Sequence, residues 1–132
     1  MPSDIERAYI TGLFDGDGCL SLCMAYDSRT DKRYPRAQAI FASKNREPLD
    51  YVYSVLGYGR IYNTKQNTQW ELRITKISDL EKFCEFLEPY IRIKKKHLVV
   101  FKQGVEFKVK HDEDSEKFRE QYVKVLSALN GK

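Results

Sequence analysis

Apolar residues recur along the chain with two different spacings, and the spacing changes at turn-forming residues. A helical stripe begins at a capping box of Ser3 and Glu6 and ends at Gly16, and a second stripe runs from Asn45 to Gly57. Two segments that alternate apolar and polar residues follow each stripe, as half-buried strands do. The predicted strands are residues 19–26, 34–43, 59–64 and 69–75, with a long polar hairpin connection at 27–33.

Helical spacing returns after the fourth predicted strand. The further helices are expected from a capping box at Ser78 to Pro89, over residues 95–103, and from Asp114 or Ser115 onward. Residues 105–110 also alternate, so this stretch is open to either a longer helix or an extended segment. The order of elements predicts an α+β fold in which helices cover an antiparallel sheet.

Composition limits the class of protein more than its function. The 132 residues fit one domain, 1–132, and 42% hydrophobic with 32% charged residues excludes intrinsic disorder. No apolar run is long enough to span a bilayer, so we expect no membrane partner and no secretory leader. The net charge of +4 permits a nucleic-acid partner without requiring one.

The three cysteines, Cys19, Cys23 and Cys84, form no CxxC pair. Cys19 and Cys23 would lie about 13 Å apart on one strand, which suits neither a disulfide nor a shared zinc ion. We therefore expect reduced thiols and an intracellular location, the cytoplasm of a prokaryote or an organelle.

The segment Ile10-Thr11-Gly12-Leu13-Phe14-Asp15-Gly16-Asp17-Gly18 carries the candidate chemistry. Its Asp-Gly-Asp-Gly would by itself indicate only a turn, and a calcium loop is excluded because Tyr26 stands where that loop needs a glutamate. Small residues at Ala8 and Gly12 allow a second helix to approach, most simply from an identical chain. A twofold axis would then bring two Asp17 carboxylates together at helix ends that favour a cation such as Mg²⁺.

The same segment resembles the signature of the LAGLIDADG homing endonucleases, of the single-motif homodimeric type. Residues 87–96 resemble that family's proline-then-basic segment, and the last helix resembles its C-terminal helix. Thr11 and Gly16 depart from the alanines that many members carry, but both are small. The resemblance implies an αββαββα core with a four-stranded antiparallel, saddle-shaped sheet and additional C-terminal helices.

The resemblance also implies the roles of single residues. Asp17 would bind the metal through its carboxylate and Gly16 through its carbonyl, while Asp15 would structure the end of the helix. Lys94 matches the active-site lysine near the scissile phosphate. Either Lys44 or Gln38 would position the attacking water. The dimer interface is expected on the first helix, at Ala8, Thr11, Gly12 and Asp15.

One face of the predicted sheet collects polar side chains that can match base edges in a major groove. The residues expected to contact DNA there are Ser21, Cys23, Arg36, Gln38, Arg60, Tyr62, Thr64, Gln69, Glu71 and Arg73. Phosphate contacts are expected from the hairpin and from the basic segment, at Arg29, Lys32, Arg33, Arg92 and Lys96. Alternation alone would equally predict an ordinary solvated face, and Glu71 with Arg73 would equally form an ion pair.

Together these features predict a homodimeric, Mg²⁺-dependent endonuclease that makes a double-strand break in a long pseudo-palindromic DNA site. We expect Mn²⁺ to substitute for Mg²⁺ and Ca²⁺ to bind without cleavage. The resemblance implies that cleavage supports mobility of a host intron. Two alternatives on the same fold stay open at this point: a maturase that binds the host intron RNA, and a DNA-binding regulator that does not cleave.

Overall fold

The computed structural model describes residues 2–64, 66, 68–110 and 115–131. In these residues the elements follow the predicted order, and the α+β class is confirmed. They are α1 (Asp4–Asp17), β1 (Gly18–Asp27), β2 (Lys32–Ser43), α2 (Glu47–Leu56), β3 (Arg60–Thr64), β4 (Gln69–Ile74), α3 (Ile77–Leu87), α4 (Lys95–Lys110), α5 (Ser115–Phe118), a π-helical turn (Arg119–Val123) and α6 (Lys124–Leu129). No helix among the described residues is both long and apolar enough to cross a membrane.

The four strands form one antiparallel sheet in the order β1-β2-β4-β3. In the β1–β2 pair Gly18 lies opposite Phe41, and in the β3–β4 pair Arg60 lies opposite Arg73. The inner face of β1 and β2 buries Leu20, Leu22, Ala37, Ala39 and Phe41. The alternation read from the sequence therefore assigns these residues to the correct face, because a shift of one residue would turn this apolar set to solvent.

The hydrogen bonds at the N-terminal ends of the helices confirm one of the predicted caps and contradict two others. At α1, Ser3 and Glu6 form the predicted capping box. Asn45 was predicted to cap α2, which is wrong: Arg46 stands at the cap without a side-chain bond, and Pro48 in the first turn has no N–H to offer. The capping box predicted at Ser78 is also wrong, because α3 has already begun at Ile77.

The hairpin between β1 and β2 is shorter than its polar sequence suggested. The predicted connection 27–33 is wrong at both ends, since Asp27 and Lys32 are already paired and only residues 28–31 turn. The Asp27 carboxylate accepts the backbone N–H of Arg29 at 3.0 Å, and Asp31 adopts a left-handed φ of 55°. These two features close the turn within four residues and extend the paired strands.

The structure of the C-terminal helices decides whether residues 105–110 are helical or extended. Residues 105–110 continue α4, where Val105 is buried and the Phe107 ring lies 5.3 Å from the Tyr122 ring. Packing against the last helical run thus prevails over the local alternation. That run is described from Ser115, whereas Asp114 lies outside the described residues. It buries Phe118 and Leu126, while Val125 is 43% exposed.

Three aromatic rings under α1 fill the centre of the core. Phe14 packs edge-on against Phe41 at 4.9 Å and against Phe83 at 5.1 Å between ring centroids, and all three side chains are buried. Gly18 follows α1 directly against this cluster: a Cβ there would lie 2.3 Å from Cδ1 of Phe14. The last glycine of the motif is therefore required by packing.

Replacing Gly18 with alanine is expected to destabilise the protein by about 2 kcal/mol, because the Phe14 ring cannot shift without disturbing its aromatic neighbours. Chemical denaturation of the purified variant measures this change. Gly16→Ala is the matched control, since a Cβ at Gly16 meets no atom within 4 Å. Equal stability of the two variants would show that the Phe14 contact does not constrain position 18.

Candidate functional site

The C-terminal end of α1 presents an exposed carboxylate. Asp17 is the last residue of the helix and is exposed, and the N–H of Gly18 closes the helix on the Phe14 carbonyl. No side chain or backbone group among the described residues donates a hydrogen bond to the Asp17 carboxylate. Gly16 beside it is exposed and has open space where a Cβ would be. This helix end therefore offers a carboxylate that no hydrogen bond from the described residues uses.

Asp15 joins this helix end to the segment before α4. Its carboxylate accepts three backbone N–H groups, from Arg92 at 2.7 Å, Ile93 at 2.8 Å and Lys94 at 2.8 Å. Burial to 5% exposure would raise the pKa of Asp15, but the three N–H donors and the nearby Lys94 ammonium outweigh it and lower the pKa. Asp15 is thus an anion that holds the chain at 92–94.

Lys94 completes this junction, because its Nζ donates a hydrogen bond to the backbone carbonyl of Asp15 at 2.7 Å. The ammonium is therefore bonded to a residue that precedes Asp17 by two positions, so the two predicted catalytic residues, Asp17 and Lys94, lie at the same end of α1. Sequence reasoning gave Asp15 a role in ending the helix but missed its bonds to residues 92–94. A separation of 77 to 79 residues leaves no local signal for such bonds.

Asp15→Asn is expected to lower stability by about 2 kcal/mol. The amide keeps one acceptor oxygen but turns an NH₂ group toward a backbone N–H, which leaves a buried donor unpaired. Thermal or chemical denaturation gives the value, and Asp17→Asn is the matched control because the Asp17 carboxylate accepts no hydrogen bond from the described residues. If both variants unfolded at the same temperature or denaturant concentration as the unmodified protein, the hydrogen bonds of Asp15 would not contribute to stability.

The two candidate water-positioning residues lie at different depths of the sheet. Phe41 is opposite Gly18, so Ser43 and the exposed Lys44 extend past this pair toward the end of α1. Gln38 is opposite Ser21, three residues or about 10 Å further into the sheet. Its Oε1 is buried and accepts no hydrogen bond from the described residues. The position of Lys44 along the strand is nearer to Asp17, and both roles remain predictions.

The face of the sheet opposite the helices carries the predicted polar set. Alternation places on it Ser21, Cys23, Arg36, Gln38, Arg60, Tyr62, Thr64, Gln69, Glu71 and Arg73, all partly or fully exposed. Burial raises the pKa of the Cys23 thiol, and the Arg36 guanidinium opposite it lowers it, with a raised pKa as the net result. This face offers three arginines with hydrogen-bonding side chains between them. Such a set suits a duplex nucleic acid, whose phosphates are anionic and whose base edges carry hydrogen-bond donors and acceptors.

The basic side chains of the hairpin are arranged differently from the prediction. Arg29 lies in the turn and is 90% exposed, but Lys32 and Arg33 belong to β2 rather than to a loop. Arg33 points to the helical side, where it lines a cavity with Met24 and Arg119. It is therefore not part of the polar face, because its odd position in β2 alternates away from Arg36 and Gln38. Arg92 and Lys96 are exposed beside the α1 junction.

The predicted dimer interface also needs a correction. Thr11 is fully buried and Asp15 nearly so within the protomer, so neither lies on an outer face of α1. The exposed stripe consists of Ile5, Tyr9, Gly12 and Gly16, with Ala8 half-buried beside it. Ile5 is 82% exposed and Tyr9 59% exposed, which the sequence analysis missed although helical spacing places both in line with Gly12. The surface of α1 that is open to a second protomer is therefore this apolar stripe with its two glycines.

The described part of one protomer holds no cluster of three or more His, Cys, Asp or Glu side chains that would bind a metal alone. The donor set at the end of α1 nevertheless fits a hard divalent ion, because a carboxylate and a backbone carbonyl supply oxygens and the helix dipole favours a cation. The remaining ligands would have to come from water, phosphate oxygens and a second protomer.

An α+β sheet with one open polar face, and two acids at the end of a helix that leads into it, define a nucleic-acid-processing class. The chain belongs to the LAGLIDADG endonuclease family, whose family model matches residues 10–105. Reverse gyrase of Methanocaldococcus jannaschii is 34% identical over 101 residues, which are 75% of this chain but 6% of that protein. The chain thus corresponds to a small part of this relative.

Solved structures confirm the fold. The homing endonuclease I-CvuI, in complex with the I-CreI target, superposes with a TM-score of 0.83 at 18% identity and covers 95% of this chain and 82% of its own. The archaeal intron-encoded homing endonuclease I-Vdi141I, complexed with DNA, gives 0.80 at 22% identity over 97% and 84%. The group I intron-encoded I-CeuI, also complexed with DNA, gives 0.81 at 17% identity over 98% and 68%.

Proposed function

We propose that two copies of this chain form a site-specific homing endonuclease, which makes a Mg²⁺-dependent double-strand break in a long pseudo-palindromic DNA site. Membership of the LAGLIDADG endonuclease family supports hydrolysis of DNA. The observation that carries the proposal is the exposed Asp17 carboxylate at the end of α1, where the Lys94 ammonium bonds the Asp15 carbonyl two residues earlier. In the proposed mechanism both residues serve cleavage rather than binding, so their presence at one helix end favours the nuclease over the non-cleaving regulator.

A dimer completes what one protomer lacks. The exposed stripe of α1 ends at Gly16 and Asp17, so a twofold axis along it brings two carboxylates to one place. Bound Mg²⁺ would lower the pKa of a coordinated water and stabilise charge on the phosphate. Structures of I-CvuI with DNA were obtained in the presence of Mg and of Ca, which supports the use of a divalent ion.

The remaining steps belong to side chains of this chain. Asp17 and the Gly16 carbonyl hold the cation, and Lys94 places positive charge where the crowded phosphate gains charge during in-line attack. The Asp15 carboxylate keeps the 92–94 segment, and with it Lys94, in register with the end of α1. Lys44 or Gln38 orients the attacking water. The sheet face lies in the major groove and selects the site.

The relatives I-Vdi141I and I-CeuI are described as intron-encoded. We extend this to the present chain and propose that its cleavage supports mobility of a host intron, in an intracellular compartment where its three cysteines stay reduced.

Selection of cleaved molecules from a randomised palindromic DNA library tests the proposal. With Mg²⁺ the protein should enrich one long site with dyad symmetry, and a chelator should abolish the enrichment. Enrichment of a bound but uncut sequence would instead support the regulator. Absence of any DNA enrichment, together with binding to structured intron RNA, would support the maturase.

A further inference from the structure

Three residues on the polar face form a fixed unit around one arginine. The Nε of Arg73 donates to Oε1 of Glu71 at 2.8 Å, and Nη2 of Arg73 lies 2.7 Å from the same oxygen. The guanidinium carbon of Arg73 lies 5.0 Å from the centroid of the Tyr62 ring. Glu71 fixes the direction of the guanidinium and Tyr62 fixes its plane, so Arg73 is preorganised before any partner arrives.

Glu71 binds one edge of the Arg73 guanidinium and so leaves a different edge for a partner. Glu71 takes the edge formed by Nε and Nη2, which leaves the outer edge formed by Nη1 and Nη2. Among the described residues no acceptor bonds to this outer edge. Two parallel N–H groups with this spacing match O6 and N7 of guanine, the most common specific contact in a major groove. The side chain of Arg73 is 31% exposed, so part of it is accessible to a partner although Glu71 and Tyr62 hold the group.

The position of the unit favours a base over a phosphate. β4 is an inner strand of the sheet, between β2 and β3, so Arg73 lies away from the sheet edges. Arg73 is opposite Ile40 on one side and Arg60 on the other, and the Glu71 carboxylate offsets the like charges of the two arginines. A phosphate contact would not need two neighbours to orient it, whereas base readout requires a defined plane and direction.

We propose that Arg73 reads one guanine in each half of the DNA site, and that Glu71 and Tyr62 are positioning residues for that contact. The inference rests on the proposed function, because it takes the sheet face as the DNA-binding surface. It adds an identity for one base that neither the fold nor the family membership provides. Because the protein is proposed to be a dimer, the guanine should occur twice, at positions related by the dyad.

Site selection with the unmodified protein and with Arg73→Gln and Glu71→Gln tests this inference. The unmodified protein should prefer guanine at one position per half-site by about tenfold or more. Arg73→Gln should remove that preference at the same position only, and adenine should be gained there because glutamine pairs with adenine. Glu71→Gln should weaken the guanine preference while other positions keep theirs. Arg119→Lys, on the helical side and paired with Glu120, is the control and should leave all preferences unchanged.

Other outcomes overturn the inference in distinguishable ways. If Arg73→Gln weakened binding equally for all sequences and reduced its salt dependence, Arg73 would contact a phosphate. If Glu71→Gln altered a different position, Glu71 would itself read a base and would not be a positioning residue. A selected and cut site that Arg73→Gln leaves unchanged would overturn the inference but keep the proposed function. Failure of the unmodified protein to select any DNA would overturn both.

Discussion

Asp17→Asn is expected to abolish DNA cleavage while the protein still folds and binds its site. The substitution keeps the size of the side chain but removes the negative charge that is proposed to hold the cation. Cleavage should fall by about a thousandfold or more, because a bound metal supplies several kcal/mol of transition-state stabilisation. Stability should not change, since Asp17 is exposed at the end of α1 and makes no hydrogen bond with the described residues. Cleavage of the selected duplex and a binding titration in Ca²⁺ measure the two properties separately.

Asp4→Asn is the matched control for this substitution. It makes the same chemical change on the same helix at an exposed position, but at the opposite end from the junction with Lys94. The control should cleave at the rate of the unmodified protein. Full cleavage by metal-clean Asp17→Asn protein would remove the metal role from this helix end and with it the proposed mechanism.

Gly12→Leu is expected to convert the dimer into a folded monomer. Gly12 is exposed on α1 and a Cβ there meets no atom within 4 Å, so the protomer accommodates the larger side chain. The leucine would, however, stand between two helices that approach closely along the stripe of Ile5, Tyr9 and Gly16. Loss of the dimer should also remove double-strand cleavage, because one protomer carries half of the site.

Sedimentation velocity over a range of concentrations checks the loss of the dimer. Ala128→Leu adds comparable apolar bulk at an exposed position of α6 and should leave the dimer intact. A Gly12→Leu protein that sediments as a stable dimer would place the subunit contact elsewhere. In that case the exposed Ile5 and Tyr9 would need another explanation.

The sequence predicts the local features of this fold better than the contacts between distant segments. Period-two alternation was sufficient to predict the buried faces of β1 and β2, because the buried set is apolar and unbroken. Ser3 and Glu6 form their capping box from residues three apart. At residues 105–110 the alternation was ambiguous, and packing of Phe107 against Tyr122 decided for helix. Tertiary contacts of this kind have no signature in a local window.

The candidate site shows the same division. The motif identifies Asp17 and the basic segment identifies Lys94, each from residues near one another in the chain. The bonds that bring them together pass through Asp15 and three backbone N–H groups, and every residue type except proline could supply a backbone N–H. The prediction for Thr11 failed for a related reason: small residues mark a close helix contact, but burial within the protomer uses that side of α1.

Two identical protomers are proposed to cut one duplex with the ends of their α1 helices, where a divalent cation would bind. Mapping both strand ends of a plasmid that carries a single selected site tests this proposal most directly. We expect one double-strand break with Mg²⁺, two cuts related by the dyad of the site, and no product with a chelator or with Asp17→Asn. Cuts confined to one strand, cuts without dyad symmetry, or equal cleavage in the chelator would contradict it.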